Sequence, residues 1–144
     1  MAIGEIKDPY GNFSFMVEIG GTSWGIFQEC SGFDSTIDVI EYRAGGENTT
    51  TRKLPGMTKY SNLSLKWGIT DDMTLYNWHL DTVEGQIERK DGSIVLLDRT
   101  GLEVARWNFS RAWPSKYDGP DLNAEGTDVA VETLELAHEG IKRV

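Results

Sequence analysis

The sequence predicts a mainly β protein, an antiparallel β-barrel or sandwich with one flanking α-helix at about residues 71–84. Two patterns support this fold class. Apolar and polar residues alternate with a period of two along most of the chain, and one central segment repeats its apolar residues at helical spacing instead. No linker, low-complexity stretch or internal repeat interrupts the 144 residues, so we expect a single domain over residues 1–144.

The predicted strands follow one another as short alternating segments between turn residues. The first two form a hairpin over about residues 13–26, with the turn at Gly20-Gly21. Asp91-Gly92 is expected to be the turn of a second hairpin, because Asp-Gly is a strong hairpin signal. Thr100-Gly101 predicts a further turn. The remaining strands are predicted at about residues 36–43, 63–69, 86–89, 93–98, 102–109 and 127–138.

One helix interrupts the strands in the middle of the chain. Residues 70–72, Thr-Asp-Asp, offer side chains that cap a helix and negative charge that favours its N-terminus. Gly85 is expected to end the helix. The apolar residues that recur at helical spacing between these signals are Leu75, Trp78, Leu80 and Val83.

Two segments lack clear periodicity. The first is a long extended loop over about residues 44–60, in which Leu54-Pro55-Gly56 is expected to form a stiff turn. The second, residues 110–128, is rich in Pro, Gly and Asp but carries Trp113 and Tyr117, whose rings need a surface to pack on. Loops of this length in a compact domain are usually functional or disordered.

Composition argues against several classes of function. The net charge of −9 argues against a general nucleic-acid binder and against docking on an anionic membrane. Cys30 is the only cysteine, so no intrachain disulfide forms and a buried structural thiol is expected. The first residues lack the pattern of a signal peptide, and no apolar run approaches the ~20 residues of a membrane helix. We expect a protein made in the cytoplasm, with no signal peptide and no membrane anchor.

The sequence contains no recognisable active-site motif. No P-loop and no Gly-x-Ser-x-Gly pattern occurs, although the geometry of a serine triad stays open at this level. His79 and His138 are the only histidines, and neither has metal-ligand spacing to another His or to Cys. Asp71-Asp72 is explained by helix capping and Asp118 by a turn. We therefore expect no enzymatic activity, no cofactor and no metal.

Charge is segregated along the chain. Four basic and no acidic residues lie between Thr51 and Trp67, whereas seven acidic and no basic residues lie between Asp118 and Glu139. Two solvated faces would explain this pattern. The alternative is that the basic segment of one copy contacts the acidic segment of the next. Such a heterologous contact closes into rings or grows into filaments, and complementary charge sets its register.

A set of segments, in order over nearly the whole chain, resembles one protein family. The matching segments are the helix containing Trp78 and residues 41–46, 52–56, 63–70, 92–98, 105–109, 111–116 and 132–140. They resemble the inner tube proteins of contractile injection systems. This family includes the phage T4-like tail tube proteins and the tubes of the antifeeding prophage and the virulence cassettes.

The resemblance implies a structural protein with a barrel-like β fold, similar to the haemolysin-coregulated proteins. It implies hexameric rings that stack into a tube, which a contractile sheath drives through a target envelope. The implied partners are other copies of the chain, sheath subunits, baseplate or hub proteins, terminator proteins and effector cargo in the lumen. Specific nucleic acid is expected only in a DNA-carrying virion. The particle would be assembled in the cytoplasm and, in some systems, released.

Subunit contacts are expected in the long loop, in the acidic C-terminal third and at the strand edges. Ser64 and Lys66, on the polar face of their strand, are candidates for the lumen wall. The candidate interface residues are Arg52, Lys53, Leu54, Pro55, Gly56, Lys59, Asp118, Asp121, Glu125 and Glu132.

Two other functions stay open at this level. A specialised initiator or adaptor ring, at the baseplate or at the tube terminus, would share the core and differ in loops and added segments. A secreted effector or ligand-binding β-barrel would need a cavity with a few convergent polar groups, and no residue pattern singles one out.

Overall fold

The computed structural model describes residues 14–24, 27–43, 45–46, 50–126 and 129–144. Parts of the predicted first hairpin, long loop and last strand therefore lie outside the described residues. The elements are β1 (Ser14–Ile19), β2 (Thr22–Trp24), β3 (Phe27–Ser31), β4 (Ser35–Tyr42), β5 (Arg52–Tyr60), β6 (Leu63–Gly68), α1 (Thr74–Val83), β7 (Lys90–Leu97), β8 (Glu103–Asp118), β9 (Val131–Ala137) and β10 (Gly140–Arg143).

The strands form one large antiparallel sheet and one separate ribbon. The order in the large sheet is β2-β1-β7-β8-β9-β6-β3, and β10 pairs with β8. The first half of this sheet contains β2, β1, β7 and the start of β8, and the second half contains the end of β8, β9, β6 and β3. Strands β4 and β5 form the two-stranded ribbon. The predicted mainly β, antiparallel architecture with one helix is confirmed.

The core lies between the inward faces of the two halves of the sheet. On β6, Leu63, Leu65 and Trp67 are buried, and β9 places Leu134 and Leu136 opposite them in register. Each such side chain stabilises the fold by ~1.5–3 kcal/mol when it is fully buried. The first half of the sheet and the helix complete the cluster with Val17, Ile19, Ile94, Phe109, Leu75 and Trp78.

Strand β8 joins the two halves because it bends at Arg111. This residue has a φ of 50°, which is unusual for a residue other than glycine. Its backbone N–H donates to Asp91 Oδ1 at 2.8 Å, and its Nε lies 2.7 Å from Glu139 Oε2. A second irregularity shifts the register of β8 against β9 between Pro114 and Lys116. The prediction of a loop over residues 110–128 is wrong for residues 110–118, because these two irregularities break the alternation that marks a strand.

Helix α1 begins three residues after its predicted start. Its N-cap position is Met73, which makes no side-chain cap hydrogen bond. Asp72 supplies the missing acceptor, since its Oδ1 accepts from the backbone N–H of Thr74 at 3.0 Å and from the Thr74 hydroxyl at 2.7 Å. The Thr74 hydroxyl and N–H lower the pKa of Asp72. Gly85, with a φ of 92°, follows the helix end as predicted.

Asp91-Gly92 does not form a hairpin turn, so that prediction is wrong. Both residues lie inside β7, which pairs with β1 on one side and with β8 on the other. A Cβ atom at position 92 would overlap the backbone carbonyl of Glu18 and the ring of Phe109. Glycine is therefore present because neighbouring groups approach the backbone closely, and not because a turn needs it.

The predicted long loop over residues 44–60 is also wrong for most of its length. Residues 52–60 form β5, which pairs antiparallel with β4, and only residues 43–51 connect the two strands. The strand escaped prediction because apolar residues lie on both faces of the ribbon, so that a period of two is not visible. At the C-terminal end, the predicted last strand is confirmed over residues 131–137, and the short β10 was not predicted.

Replacing Gly92 with alanine tests the close approach. We expect Gly92→Ala to lower the free energy of unfolding by roughly 1–3 kcal/mol, because the added methyl group overlaps backbone as well as the Phe109 ring. Urea unfolding followed by tryptophan fluorescence measures the change. The matched control is Gly45→Ala, where a Cβ meets no atom within 4 Å, and its stability should stay within ~0.5 kcal/mol of the parent. Equal stabilities for the two variants would contradict this account.

Candidate functional site

The most unusual surface is the ribbon formed by β4 and β5. Among the described residues these strands pair only with each other. A two-stranded hairpin alone is marginally stable in water, and an exposed apolar surface of this kind marks an interaction site. Seven large apolar side chains of the ribbon are 38–72% exposed: Ile37, Val39, Ile40, Tyr42, Leu54, Met57 and Tyr60.

Each face of the ribbon combines apolar residues with an oppositely charged pair. Ile40 lies opposite Leu54, and on the same face Asp38 binds Lys59 with an O–N distance of 3.1 Å. The other face carries Ile37, Val39 and the registered neighbours Glu41 and Lys53. An apolar centre beside polar pairs is the usual composition of a protein–protein contact surface.

Residues 32–33, which lead into β4, are the first stem of the ribbon. A glycine and an aromatic pair fix this stem to the barrel. Gly32 has a φ of 97°, and a Cβ atom there would overlap the backbone carbonyl of Asn62. The two stems therefore pass each other at contact distance. The next residue, Phe33, packs on Trp107 of β8 with ring centroids 5.1 Å apart.

Residues 60–62, which lead from β5 to β6, are the second stem. This stem is held by His138, which lies between β9 and β10. Its ring packs on Tyr60 with centroids 5.6 Å apart, and its Nε2 lies 2.9 Å from the carbonyl oxygen of Ser61. Its Nδ1 accepts a hydrogen bond from the backbone N–H of Gly140 at 3.2 Å. This arrangement fits a neutral imidazole with the proton on Nε2. The ribbon thus projects from the barrel at an angle that both stems determine.

All six predicted interface residues of the basic segment lie on β5. Arg52, Lys53, Leu54 and Pro55 are exposed, while Lys59 is engaged by Asp38 within the chain. Leu54-Pro55-Gly56 does not form a turn, so that prediction is wrong. The register between Ile37 and Val39 shifts at this point, opposite Gly56. Pro55 is tolerated here because an edge strand or a bulge does not need a backbone N–H donor at that position.

The predicted acidic partners separate into three groups. Asp118 lies at the end of β8, where Lys116 approaches it at 3.5 Å. Asp121 and Glu125 are exposed in the segment that follows β8. Glu132, by contrast, is 6% exposed and faces the core.

The prediction that Glu132 lies at a subunit interface is contradicted by its burial. The hydroxyl of Tyr117 donates a hydrogen bond of 2.6 Å to Glu132 Oε2. Burial and this bond raise the pKa of Tyr117 to about 12. The sequence did indicate this burial. Glu132 lies two and four residues before Leu134 and Leu136, so it shares the inward face of β9 with them. Charge alone groups the acidic residues of this segment as one surface, whereas the period of two in β9 turns the Glu132 carboxylate inward.

Ser64 and Lys66 lie on the outward face of β6, as expected for the polar face of that strand. Lys66 Nζ lies 3.5 Å from Glu29 Oε2 on β3.

A groove of about 840 Å³ lies on the outward face of the first half of the sheet. Its main charged group is Arg106, which contacts Glu18 Oε2 at 3.0 Å and Glu103 Oε1 at 2.6 Å. Hydrogen bonds to Glu103 and Glu18 raise the pKa of Arg106. The arginine and its two carboxylates satisfy one another, and this arrangement serves to hold β1 and β8 together.

Other chemical groups are placed in structural roles. Burial, and then the charge of Glu29, raise the pKa of Cys30 to about 12, which disfavours a reactive thiolate. His79 lies with Nδ1 3.3 Å from the Pro114 carbonyl oxygen, between α1 and β8. In the described part of the chain, no group of three or more His, Cys, Asp or Glu residues is arranged to hold a metal. Within that same part, no helix has the length and apolarity needed to cross a membrane.

Sequence comparison places this ribbon-bearing barrel in a family. Residues 11–142 match the family model described as T4-like virus tail tube protein gp19. The chain belongs to this tail tube family. No curated protein sequence matches the chain significantly.

Solved structures of injection-system assemblies are similar to this tail tube protein. A chain in the PVC sheath–tube complex of an extracellular contractile injection system is 29% identical, with a TM-score of 0.86, and the match covers 96% of this chain and 93% of that one. A chain in the anti-feeding prophage baseplate is 26% identical, with a TM-score of 0.86 and coverage of 96% and 97%. Hcp1 from Flavobacterium johnsoniae shares the fold at 16% identity, with a TM-score of 0.58 and coverage of 91% and 94%.

The buried Tyr117–Glu132 pair gives a test by substitution and by pH. We expect Tyr117→Phe to lower the free energy of unfolding by roughly 1–3 kcal/mol, because Glu132 stays buried without its donor. Since the pKa of Tyr117 in the folded protein lies above its ordinary 10.0, the stabilisation is present below pH 10 and is lost as pH rises through about 12. In ultraviolet titration, the variant should lack the last tyrosinate step. Tyr42→Phe, at an exposed position, is the control and should keep both stability and that step.

Proposed function

We propose that this tail tube protein is the repeating subunit of the inner tube of a contractile phage-tail-like particle. Subunits assemble into hexameric rings, and the rings stack into a conduit that sheath contraction drives through a target envelope. The observation that carries the proposal is the exposed apolar ribbon, which no other element among the described residues covers. Membership of the tail tube family supports the same function.

The ribbon acts as the connector between copies. Its apolar faces are covered when it packs against another subunit, and each large side chain fully buried in that contact contributes ~1.5–3 kcal/mol. The ribbon and the surface that receives it are different parts of the chain, so the contact is heterologous and can propagate. The two stems held by Phe33 and His138 set the direction in which the next copy is bound.

Charge pairing between copies sets the register of assembly. Arg52 and Lys53, near the free end of the ribbon, contact Asp121 and Glu125 of a neighbouring subunit. Asp118 and Lys59 belong to the same contact, and each also has a partner of opposite charge in its own chain. Complementary charge of this kind affects specificity and rate more than affinity.

The further partners are sheath subunits, baseplate or hub proteins and terminator proteins, with effector cargo in the lumen. The similar chains come from structures described as a sheath–tube complex, a baseplate and a sheath/tube terminator. The particle is assembled in the cytoplasm and functions outside the cell. The protein acts by self-assembly and needs no catalytic residue.

Reversing the charge at the end of the ribbon tests the proposed ion pairs. We expect Arg52→Glu with Lys53→Glu to lower the thermal stability of the free subunit only slightly, because ion pairs between exposed groups are weak, and to abolish rings and tubes in negative-stain electron microscopy. Adding Asp121→Lys and Glu125→Lys should restore assembly, because the charges are then exchanged. The control, Arg89→Glu with Lys142→Glu, makes the same charge change outside the ribbon and should still form tubes. Normal tubes from the first variant would contradict the pairing.

Removing the apolar centre of one ribbon face tests the connector itself. We expect Ile40→Ser with Leu54→Ser to prevent tube formation while thermal unfolding of the free subunit changes little, because both side chains are about half exposed in the single chain. Sedimentation and microscopy measure the assembly. The control is Val83→Ser with Leu102→Ser, which changes two exposed apolar residues elsewhere and should assemble normally.

A further inference from the structure

His138 joins the second stem of the ribbon to the link between β9 and β10, and both of its ring nitrogens are used. Nε2 lies 2.9 Å from the carbonyl oxygen of Ser61 in the stem. Nδ1 accepts a hydrogen bond of 3.2 Å from the backbone N–H of Gly140, at the start of β10. A neutral imidazole has one donor and one acceptor. The two backbone groups therefore use the full hydrogen-bonding capacity of the neutral ring.

A second proton on the His138 ring removes its acceptor. The imidazolium form carries an N–H on both nitrogens, so the Nδ1–H and the Gly140 N–H would point at each other across 3.2 Å. Both donors then lack a partner, and the ring has to leave this position. The bond to Ser61 survives, because a charged donor binds a carbonyl oxygen more strongly than a neutral one does. The protonated ring therefore stays with the stem and loses its position on the large sheet.

The titratable and charged groups around His138 do not offset this effect. On β5, Tyr60 packs against the ring with centroids 5.6 Å apart. Tyrosine is uncharged near neutral pH, and an aromatic face attracts a cation, which again favours the stem. Glu139, the next residue in the chain, has its Oε2 2.7 Å from Nε of Arg111 on β8. This carboxylate is thus engaged by another cation.

His79, the other histidine, takes up a proton without such a conflict. Its Nδ1 lies 3.3 Å from the carbonyl oxygen of Pro114, which accepts from a neutral or a protonated ring. Its Nε2 bonds to no group among the described residues, so a proton there displaces no donor. The two histidines differ because only His138 has a backbone N–H that needs a ring nitrogen as its acceptor.

We infer that His138 is a pH-dependent latch: its neutral ring fixes the ribbon for assembly, and its protonation releases the second stem and disfavours the tube. The inference rests on the proposed function, because it concerns the contact that the ribbon makes with another copy. In the free subunit the ribbon can follow the protonated ring, since no other element among the described residues packs over it. In the tube a neighbouring copy holds the ribbon, so the stem cannot follow and only the neutral ring fits.

The pH dependence of assembly tests the latch. Histidine side chains ordinarily take up a proton near pH 6.5. If only the neutral form assembles, the lowest protein concentration that gives tubes should be about tenfold higher at pH 5.5 than at pH 7.5. Returning the sample to pH 7.5 should restore the tubes. Sedimentation and negative-stain electron microscopy measure this assembly concentration, and circular dichroism should show the same folded subunit at both pH values.

Two single substitutions assign the effect to one histidine. His138→Gln removes the titrating ring and keeps an N–H donor for Ser61, so its assembly concentration should hardly change between the two pH values. The matched control, His79→Gln, should keep the tenfold change of the parent. The inference is overturned if His138→Gln keeps that change or if His79→Gln loses it.

The parent protein gives a further test that needs no variant. Between about pH 5 and pH 6, the logarithm of its assembly concentration should fall by about one for each unit of pH, because each protonated subunit gives up one proton when it joins a tube. Equal assembly at pH 5.5 and pH 7.5 would overturn the inference alone. If the parent forms no tubes at pH 7.5, the proposed function fails and the inference fails with it.

Discussion

The structure depends on one strand that belongs to both halves of the sheet. Strand β8 pairs with β7 and β10 along its first part and with β9 along its second, so every other element is placed relative to its bend. The bend is held where the Arg111 N–H donates to Asp91 Oδ1, with the backbone of Arg111 at positive φ. This bond gives the Arg111 N–H an acceptor where the register of β8 against β7 shifts, opposite Asp91.

The large sheet with its core and the exposed ribbon have different tasks in the chain. The large sheet and the helix enclose one core of apolar side chains within the described residues. The ribbon leaves comparable side chains in water because no element in the described part of the chain packs over it. A protein that assembles by specific contacts needs this difference. Apolar surface that is already buried within one subunit adds no hydrophobic free energy to the contact with the next subunit.

Acidic residues in this chain have three distinct environments, although they look alike in the sequence. Asp121 and Glu125 are solvated, Asp118 and Glu135 are paired with Lys116 on a strand face, and Glu132 is buried against Tyr117. The net charge of −9 is therefore a poor guide to what any one carboxylate does. The position of a carboxylate on its strand decides its environment, because a shift of one residue moves a side chain from the core to water.

The amino-acid pattern by itself determined the fold class, the helix, the turns at Gly20-Gly21 and Thr100-Gly101, and the inward residues of regular strands such as β6. These features depend on neighbours in the sequence, whose alternation and turn chemistry are local. It placed candidate contacts on residues 52–60 but predicted a loop there, where the structure has β5. Only the tertiary structure decided that residues 52–60 pair with β4, that β8 continues through its bend, and that Gly92 lies within a strand. Each of these depends on a partner distant along the chain, and bulges at such pairings erase the period on which sequence interpretation relies.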